Sequence, residues 1–333
     1  MRHFKIGYQA SLEMFQPDVA LEHALLAEKS GFDSIWASDH FLPWFDSNAS
    51  AGFAWTWLAS VAQATRGPEL GTGATCPILR YHPAVVAQAF ASLDYMYPGR
   101  FFISLGTGEA LNEVPMGYKW PAHAERAGRL EEAVEVMRRL WTGERVNMTG
   151  KYYNLQNARL YTPPKTRIPI YVAASGPIAA EVAGRIADGF LTIPGAVQRY
   201  KEVLFPALEK GARAAQKDVE SIDKALEVHM AYDEDSDRAL RSARRWAGCL
   251  TRGALDNPDP RTLESMGSSV SDQQLSQAWI IATSSDPLIQ AIEGYVKLGF
   301  RNVHVTSSSP SQIKFIEMFG REVIPYLKEE FRT

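Results

Sequence analysis

Short runs of apolar residues alternate along this chain with longer segments in which apolar residues recur at helical spacing. The short runs predict eight β-strands, at residues 4–8, 34–37, 69–75, 101–105, 168–173, 189–193, 225–232 and 302–306. The longer segments predict the helices between them, at residues 18–30, 56–65, 83–95, 123–141, 178–187, 196–215, 287–298 and 311–328.

The segment 123–141 has the clearest amphipathic pattern. Its apolar residues form a single stripe along the predicted helix, and they are Leu130, Val134, Met137 and Trp141. Glutamate and arginine side chains occupy the opposite face. The pattern therefore predicts a helix that buries Trp141 against the core and exposes its charges to water.

Apolar strands that alternate with helices are typical of a parallel sheet covered on both faces. Eight such units predict an α/β fold of the (β/α)8 barrel type, with a doubly wound sheet as the alternative. No Gly-x-Gly-x-x-Gly motif follows the first strand, which disfavours the dinucleotide-binding form of that alternative. Two long connections, 142–167 and 250–273, are interpreted as insertions at the carboxyl-terminal face of one barrel domain that spans residues 1–333.

Composition narrows the class of protein further. The 333 residues carry 35 Lys and Arg against 38 Asp and Glu, a net charge of −3, so no general attraction to nucleic acid or anionic membranes is expected. No apolar run reaches the roughly 18 residues of a membrane span, and no signal peptide is visible, so we expect a cytoplasmic protein. Two cysteines make neither a disulfide framework nor a four-ligand zinc site, and no metal is expected.

Polar residues cluster in the loops that follow four of the predicted strands. These loops are 38–44, 73–77, 106–113 and 174–177, and parallel strands would bring them to one end of the barrel, where barrel enzymes have their active sites. His40 can exchange a proton near neutral pH, and Glu109 is a second acid–base candidate. Ser175-Gly176 precedes a helix whose free N–H groups suit a phosphate. Taken singly, such a histidine or glutamate is more often a packing or surface residue, and a glycine loop before a helix is a weak signal. The joint occurrence of these residues at successive strand ends favours a catalytic site.

Several blocks of this sequence resemble the luciferase-like barrel superfamily. Within it they resemble the dehydrogenases that use coenzyme F420, a deazaflavin, which include glucose-6-phosphate and secondary alcohol dehydrogenases. The blocks are KIGYQASLE, AEKSGFDSIWASDHFLPW, RYHPAVVAQAFA, YPGR, GTGEALNE and AASGPIAAEVAGRIADGF. The resemblance covers essentially the whole chain, and SDHFLPW and GTGEALNE are its most specific parts.

The resemblance implies a role for each matching position. His40 would remove the hydroxyl proton while hydride moves to the deazaflavin, Glu109 would lie beside the ring nitrogen, and Trp44 would pack at the ring and substrate. Gly73-Ala74 falls where the family often has a non-prolyl cis peptide supporting the ring. Further cofactor contacts would come from Asp39, Cys76, Thr107, Gly108, Asn112, Ser175, Gly176, Ile178 and Ala179. On the substrate side we expect Glu13, Trp246 and Trp279.

The substrate is where this sequence departs from the glucose-6-phosphate branch. That branch holds the sugar phosphate with two lysines and one arginine, and the matching positions here are Ala196, approximately Leu255, and Ala278. Because a buried phosphate without cations is poorly solvated, the residues favour a neutral secondary alcohol or an unphosphorylated sugar. Arg252 lies near these positions and keeps glucose 6-phosphate open as an alternative. An FMN-dependent monooxygenase is the alternative from another class, and a homodimer is expected from the superfamily.

Overall fold

The computed structural model describes residues 3–332, and eleven β-strands lie within them. The strands are β1 (Lys5–Ala10), β2 (Ser34–Ala37), β3 (Glu69–Thr72), β4 (Ile103–Leu105), β5 (Val146–Thr149), β6 (Asn154–Ala158), β7 (Ile170–Ala173), β8 (Gly189–Thr192), β9 (Asp223–Tyr232), β10 (Ile280–Ala282) and β11 (Asn302–Ser307).

Fourteen α-helices lie in the same residues. They are α1 (Pro17–Lys29), α2 (Ala54–Ala64), α3 (Pro83–Met96), α4 (Ala110–Glu113), α5 (His123–Trp141), α6 (Pro177–Ile186), α7 (Val197–Arg199), α8 (Phe205–Ala214), α9 (Ser236–Ala243), α10 (Pro260–Gly267), α11 (Asp272–Ala278), α12 (Asp286–Lys297), α13 (Gln312–Met318) and α14 (Ile324–Glu330).

The predicted barrel is confirmed. Eight strands pair in parallel in the order β3-β2-β1-β11-β9-β8-β7-β4, and bridges from Leu70 to Phe101 and from Thr75 to Leu105 join the two ends. All eight predicted strands are present, and β10 is a short addition beside the end of β9. Because every barrel strand runs the same way, the loops after β1, β2, β3, β4 and β7 meet at one end.

Aromatic rings fill the inside of the barrel. Trp36 stacks on His304 with ring centroids 4.0 Å apart, and its centroid is 4.3 Å from that of Phe102. A Cβ at Gly71 would lie 2.2 Å from Phe102, so only glycine leaves room for this ring. Side chains therefore fill the barrel interior beneath the carboxyl end of its strands, and the imidazole of His304 is fully buried among them.

The amphipathic helix predicted at residues 123–141 has the same bounds in the structure as α5. Leu130, Val134 and Met137 are buried in the main core, and Trp141 packs against that core while its Nε1 donates to the carbonyl oxygen of Ala87 at 2.9 Å. The prediction that Trp141 belongs to a core-facing stripe is confirmed.

Two of the predicted helices are interrupted. The segments 196–215 and 311–328 each contain a wide π-type turn, at Tyr200–Leu204 and Phe319–Val323. A proline follows shortly after each turn, Pro206 in one and Pro325 in the other. Proline has no N–H and its ring crowds the carbonyl four residues earlier, which accounts for the widened turn.

The insertions contain regular structure that the loop composition did not predict. In 142–167, β5 and β6 form an antiparallel hairpin. The hydroxyl of Tyr153 at its turn donates to the carbonyl of Ile78 at 2.8 Å, so the hairpin supports the loop after β3. In 250–273 lies α10, and Glu264 accepts from the backbone N–H groups of Asp46 and Ser47 after β2. The second insertion therefore packs over the carboxyl end of the barrel strands.

None of the helices within residues 3–332 combines the length and the apolar character that crossing a membrane requires.

Candidate active site

His40 lies between two carboxylates at the carboxyl end of the barrel strands. Its Nε2 is 3.4 Å from Oε1 of Glu13 and 3.8 Å from Oε2 of Glu109. The side chain is 10% exposed, and the ring centroid of Trp44 is 5.7 Å from its own. The structure thus brings together the three residues predicted to be catalytic, together with one residue predicted on the substrate side.

Glu13 is the buried member of this group, at 2% exposure. Its Oε2 accepts from the hydroxyl of Ser11 at 3.1 Å and from the hydroxyl of Ser38 in a short contact. Two hydroxyl donors therefore hold one carboxylate oxygen, while the other faces His40. The sequence analysis placed Ser38 in a functional loop without giving it a role, and it missed Ser11, although that residue also directly follows a strand.

Asn112 fixes the orientation of the imidazole. Its Oδ1 accepts from the backbone N–H of Phe41 at 2.7 Å, so its Nδ2 must face the other way. That nitrogen donates to Oε2 of Glu109 at 2.9 Å and lies 3.3 Å from Nδ1 of His40. Since an amide nitrogen only donates, Nδ1 must accept, and the neutral imidazole carries its proton on Nε2, toward Glu13.

Asp39 holds the loop that carries His40. Its carboxylate accepts from Thr75 Oγ1 at 2.6 Å and from the Tyr81 hydroxyl at 3.1 Å, and it lies 3.3 Å from Nη2 of Arg80. Burial, helped by the negative charge of Asp39, raises the pKa of Tyr81, so the phenol remains a donor. These protein donors occupy both carboxylate oxygens, so Asp39 acts on the site mainly by positioning the loop after β2.

The loops after β3 and β4 lie against each other. The peptide between Gly73 and Ala74 is cis, as the resemblance implies. Gly108 has φ +79°, and a Cβ there would lie 2.4 Å from Sγ of Cys76. Burial, with the nearby carboxylate of Glu113, raises the pKa of the Cys76 thiol, so this cysteine packs as a neutral group. Thr107, in the same loop as Gly108, is half-buried.

The loop after β7 lies at the start of α6. Gly176 has open space where a Cβ would be, and no described side chain caps the helix, so its first N–H groups are free for a ligand. Ile178 is 52% exposed, whereas Ala179 is buried in the core. Arg199 donates to the carbonyl oxygen of Ser175 and adds a positive charge that sequence reasoning missed.

The predicted substrate-side tryptophans form one apolar wall with Trp44. Trp246 and Trp279 have ring centroids 5.9 Å apart, and both pack in one cluster with Phe45, against which Trp44 and Cys249 also pack. Burial, with the charges of Glu13 and Glu109, raises the pKa of the Cys249 thiol. Cys249 was not among the predicted site residues, and it packs against the same cluster as Trp44.

A parallel (β/α)8 barrel with an imidazole between two carboxylates at the carboxyl end of its strands has the composition of an acid–base catalytic site. This chain belongs to the luciferase-like family: residues 2–302 match the family described as luciferase-like monooxygenase.

Relatives and solved structures match over almost the full chain. The F420-dependent glucose-6-phosphate dehydrogenase of Mycolicibacterium smegmatis is 40% identical over 336 residues, covering 99% of each chain. A solved F420-dependent secondary alcohol dehydrogenase in complex with an F420-acetone adduct is 40% identical, with a TM-score of 0.94 over 97% of this chain and 99% of its own. The coenzyme F420-dependent tetrahydromethanopterin reductase from Methanopyrus kandleri is 25% identical, with a TM-score of 0.81 over 98% of this chain and 99% of its own.

Proposed function

We propose that this enzyme oxidises a neutral secondary alcohol or an unphosphorylated sugar by hydride transfer to coenzyme F420. The class and the cofactor follow from its relatives: the chain is an F420-dependent oxidoreductase that acts on CH–OH groups. The choice of a neutral substrate rests on one observation, the lack of cationic side chains where the sugar-phosphate branch has them.

The residues present fit a deazaflavin with a phosphate-bearing tail. The uncapped start of α6, with Gly176 open above it and Arg199 beside it, suits the phosphate. Near the cis peptide, the buried Oε1 of Gln9 has no donor within residues 3–332, and a Cβ on Gly73 would lie 3.0 Å from it. When bound there, the deazaflavin supplies the hydride acceptor, while the protein orients the reactants and moves protons.

The position of the proton on His40 determines which group acts as the base. The resemblance assigns that role to His40, but the tautomer imposed by Asn112 leaves no lone pair on Nε2. We therefore propose that Nε2–H donates a hydrogen bond to the carbinol oxygen, and that Oε1 of Glu13, 3.4 Å from Nε2, accepts the proton of the carbinol hydroxyl as the carbinol carbon gives up its hydride. Glu109, which is 27% exposed and accepts a hydrogen bond from Asn112, is the residue that we propose beside the cofactor ring.

The three positions that would hold a phosphate carry apolar side chains. Ala196 immediately precedes α7, Leu255 is 49% exposed, and Ala278 packs with the tryptophan wall. Of the nearby arginines, Arg245 is bonded to the backbone carbonyls of Ser47 and Asn48, and Arg252 is exposed. A phosphate dianion would therefore lose its hydration without gaining buried cationic partners.

The test is F420 reduction, followed as loss of absorbance near 420 nm, with 2-propanol, glucose and glucose 6-phosphate compared at equal concentrations. We expect a neutral substrate to be turned over and the phosphate ester to be poor. Turnover of glucose 6-phosphate alone would overturn the substrate assignment and favour the sugar-phosphate alternative. Oxygen consumption with reduced FMN would favour the monooxygenase alternative. As a matched gain-of-charge control, Ala196→Lys should improve use of the phosphate ester.

Three further expectations remain predictions: a single barrel domain, a homodimer and a cytoplasmic location. Exposed aromatic residues such as Phe41 and Phe53 would suit a dimer interface. Sedimentation equilibrium at micromolar concentration would measure the oligomeric state.

A further inference from the structure

A second set of acid–base side chains lies on β9, three strands around the barrel from β2, whose following loop carries His40. Glu227 and His229 are two positions apart and so point to the same face of the strand. Glu227 accepts from Oγ1 of Thr306 at 2.5 Å and lies 3.8 Å from Nε2 of His304, which is fully buried inside the barrel. That face is therefore the interior, and His229 lies one step nearer the functional end.

Glu227 holds the imidazole of His229 by one nitrogen. Nε2 of His229 is 3.5 Å from Oε1 of Glu227. Burial by itself would raise the pKa of Glu227, but interactions with His229 and His304 outweigh it, and the pKa lies well below its ordinary value. The carboxylate is therefore charged, and it places the proton of a neutral His229 on Nε2. Nδ1 of His229 then carries a lone pair and can accept a hydrogen bond.

His229 is also part of the substrate-side wall. Its ring stacks on Trp279 with centroids 5.0 Å apart and planes 22° from parallel. Trp279 packs with Trp246 in the cluster that Trp44 joins, and Trp44 is next to His40. The side chain of His229 is 23% exposed, in contrast to the fully buried His304. A polar, partly accessible ring thus interrupts an otherwise apolar surface.

We propose that His229 is a specificity-determining residue that binds a second hydroxyl group of the substrate, away from the carbinol carbon that reacts. This inference rests on the proposed alcohol oxidation and narrows its substrate class to diols and polyols. A hydroxyl group can donate to Nδ1 of neutral imidazole and accept from it when the ring is protonated, whereas a carbonyl can only accept. The Glu227 carboxylate and the Trp279 ring fix where that hydroxyl must lie.

The test compares 2,3-butanediol with 2-butanol, which differ by the second hydroxyl. The wild-type enzyme should prefer the diol in kcat/KM. His229→Phe keeps a ring to stack on Trp279 but removes the nitrogen, and it should lower the diol-to-monool ratio about tenfold, mainly through KM. His229→Gln, which retains hydrogen-bonding groups, should restore part of the ratio. The same substitution at an exposed histidine outside the site, His3→Phe, should leave the ratio unchanged.

A second measurement separates loss of folding from loss of recognition. Binding of the product ketone acetoin, compared with 2-butanone, can be followed by calorimetry for each variant, and acetoin affinity should fall in His229→Phe. An unchanged diol-to-monool ratio in a folded His229→Phe enzyme that still reduces F420 would overturn the role of His229. Failure of every alcohol to reduce F420 in the wild-type enzyme would overturn the proposed function instead.

Discussion

Replacement of Asn112 by aspartate should reverse the proton arrangement at His40. The backbone N–H of Phe41 would still find an oxygen at Oδ1, so the side chain should keep its orientation. The amide nitrogen that faces Nδ1 of His40 and Oε2 of Glu109 would become an oxygen, which can only accept. Nδ1 should then carry a proton, and Nε2 should lose the N–H that we assign to the carbinol oxygen.

The size of the effect follows from the distances. A new carboxylate oxygen in place of Nδ2 would lie 2.9 Å from Oε2 of Glu109. At that separation two unit charges repel by about 6 kcal/mol at an effective dielectric constant of about 20, and by about 1.4 kcal/mol in water. Because Glu109 is 27% exposed, we expect the repulsion energy to lie toward the lower of these values. It should still be large enough for the new carboxylate and that of Glu109 to share one proton. With the proton donor misplaced, kcat should fall by about 100-fold.

The assay combines kinetics with nitrogen NMR of histidine-labelled protein. In the wild-type enzyme the His40 signals should show a proton on Nε2 and a lone pair on Nδ1, and Asn112→Asp should exchange or remove this difference. Asn112→Ala, which loses the donor without adding an acceptor, is the matched control and should lose less activity. A wild-type spectrum with the proton on Nδ1 would refute the argument and return the role of base to His40.

Three other outcomes follow from the packing and charges. Gly108→Ala should lower the free energy of unfolding by about 1–2 kcal/mol because of its positive φ, and by about 1–3 kcal/mol because its Cβ would contact Cys76. Addition of Cys76→Ala should relieve only the second part, as measured by urea unfolding. Burial lowers the pKa of His304 below 6.5, so the unfolded chain binds the proton more readily than the folded chain. The stability of the fold should therefore decrease as pH falls below 6.5, and it should decrease less steeply in His304→Gln, as measured by thermal unfolding. Arg199→Ala should weaken F420 binding about fivefold, less at high salt, in a fluorescence titration.

The barrel and much of the site could be predicted because periodicity and strand ends carry that information. An apolar run followed by a polar loop indicates both a buried strand and the end of the barrel to which the loop belongs. This pattern predicted that His40, Glu109 and Asn112 lie at one end, and the structure has their side chains in contact. Bounds were accurate where a helix had a strong stripe, as in α5, whereas the π-type turns before Pro206 and Pro325 were not predicted.

Other features depend on contacts between residues far apart in sequence. The hairpin of β5 and β6 is stabilised by Glu132, whose carboxylate accepts from backbone N–H groups of residues 151–153 on a different element. The proton position on His40 depends on the backbone of Phe41, which orients Asn112. His229 appeared only as part of a strand, since nothing local in the sequence shows that Glu227 and Trp279 bracket its ring.

In the proposed arrangement, the residues for chemistry and those for substrate recognition lie on different sides of the pocket. The residues that we propose beside the reacting carbon come from the loops after β1, β2 and β4. Asn112 is hydrogen-bonded to His40, and Nε2 of His40 lies 3.4 Å from Oε1 of Glu13. The residues that would contact the rest of the substrate come from β9 and from residues 244–282, where the packing is mainly aromatic. Substitution in the second group can change substrate charge or polarity without moving the first. Such a separation would allow relatives named for a sugar phosphate and for a secondary alcohol each to be 40% identical to this chain.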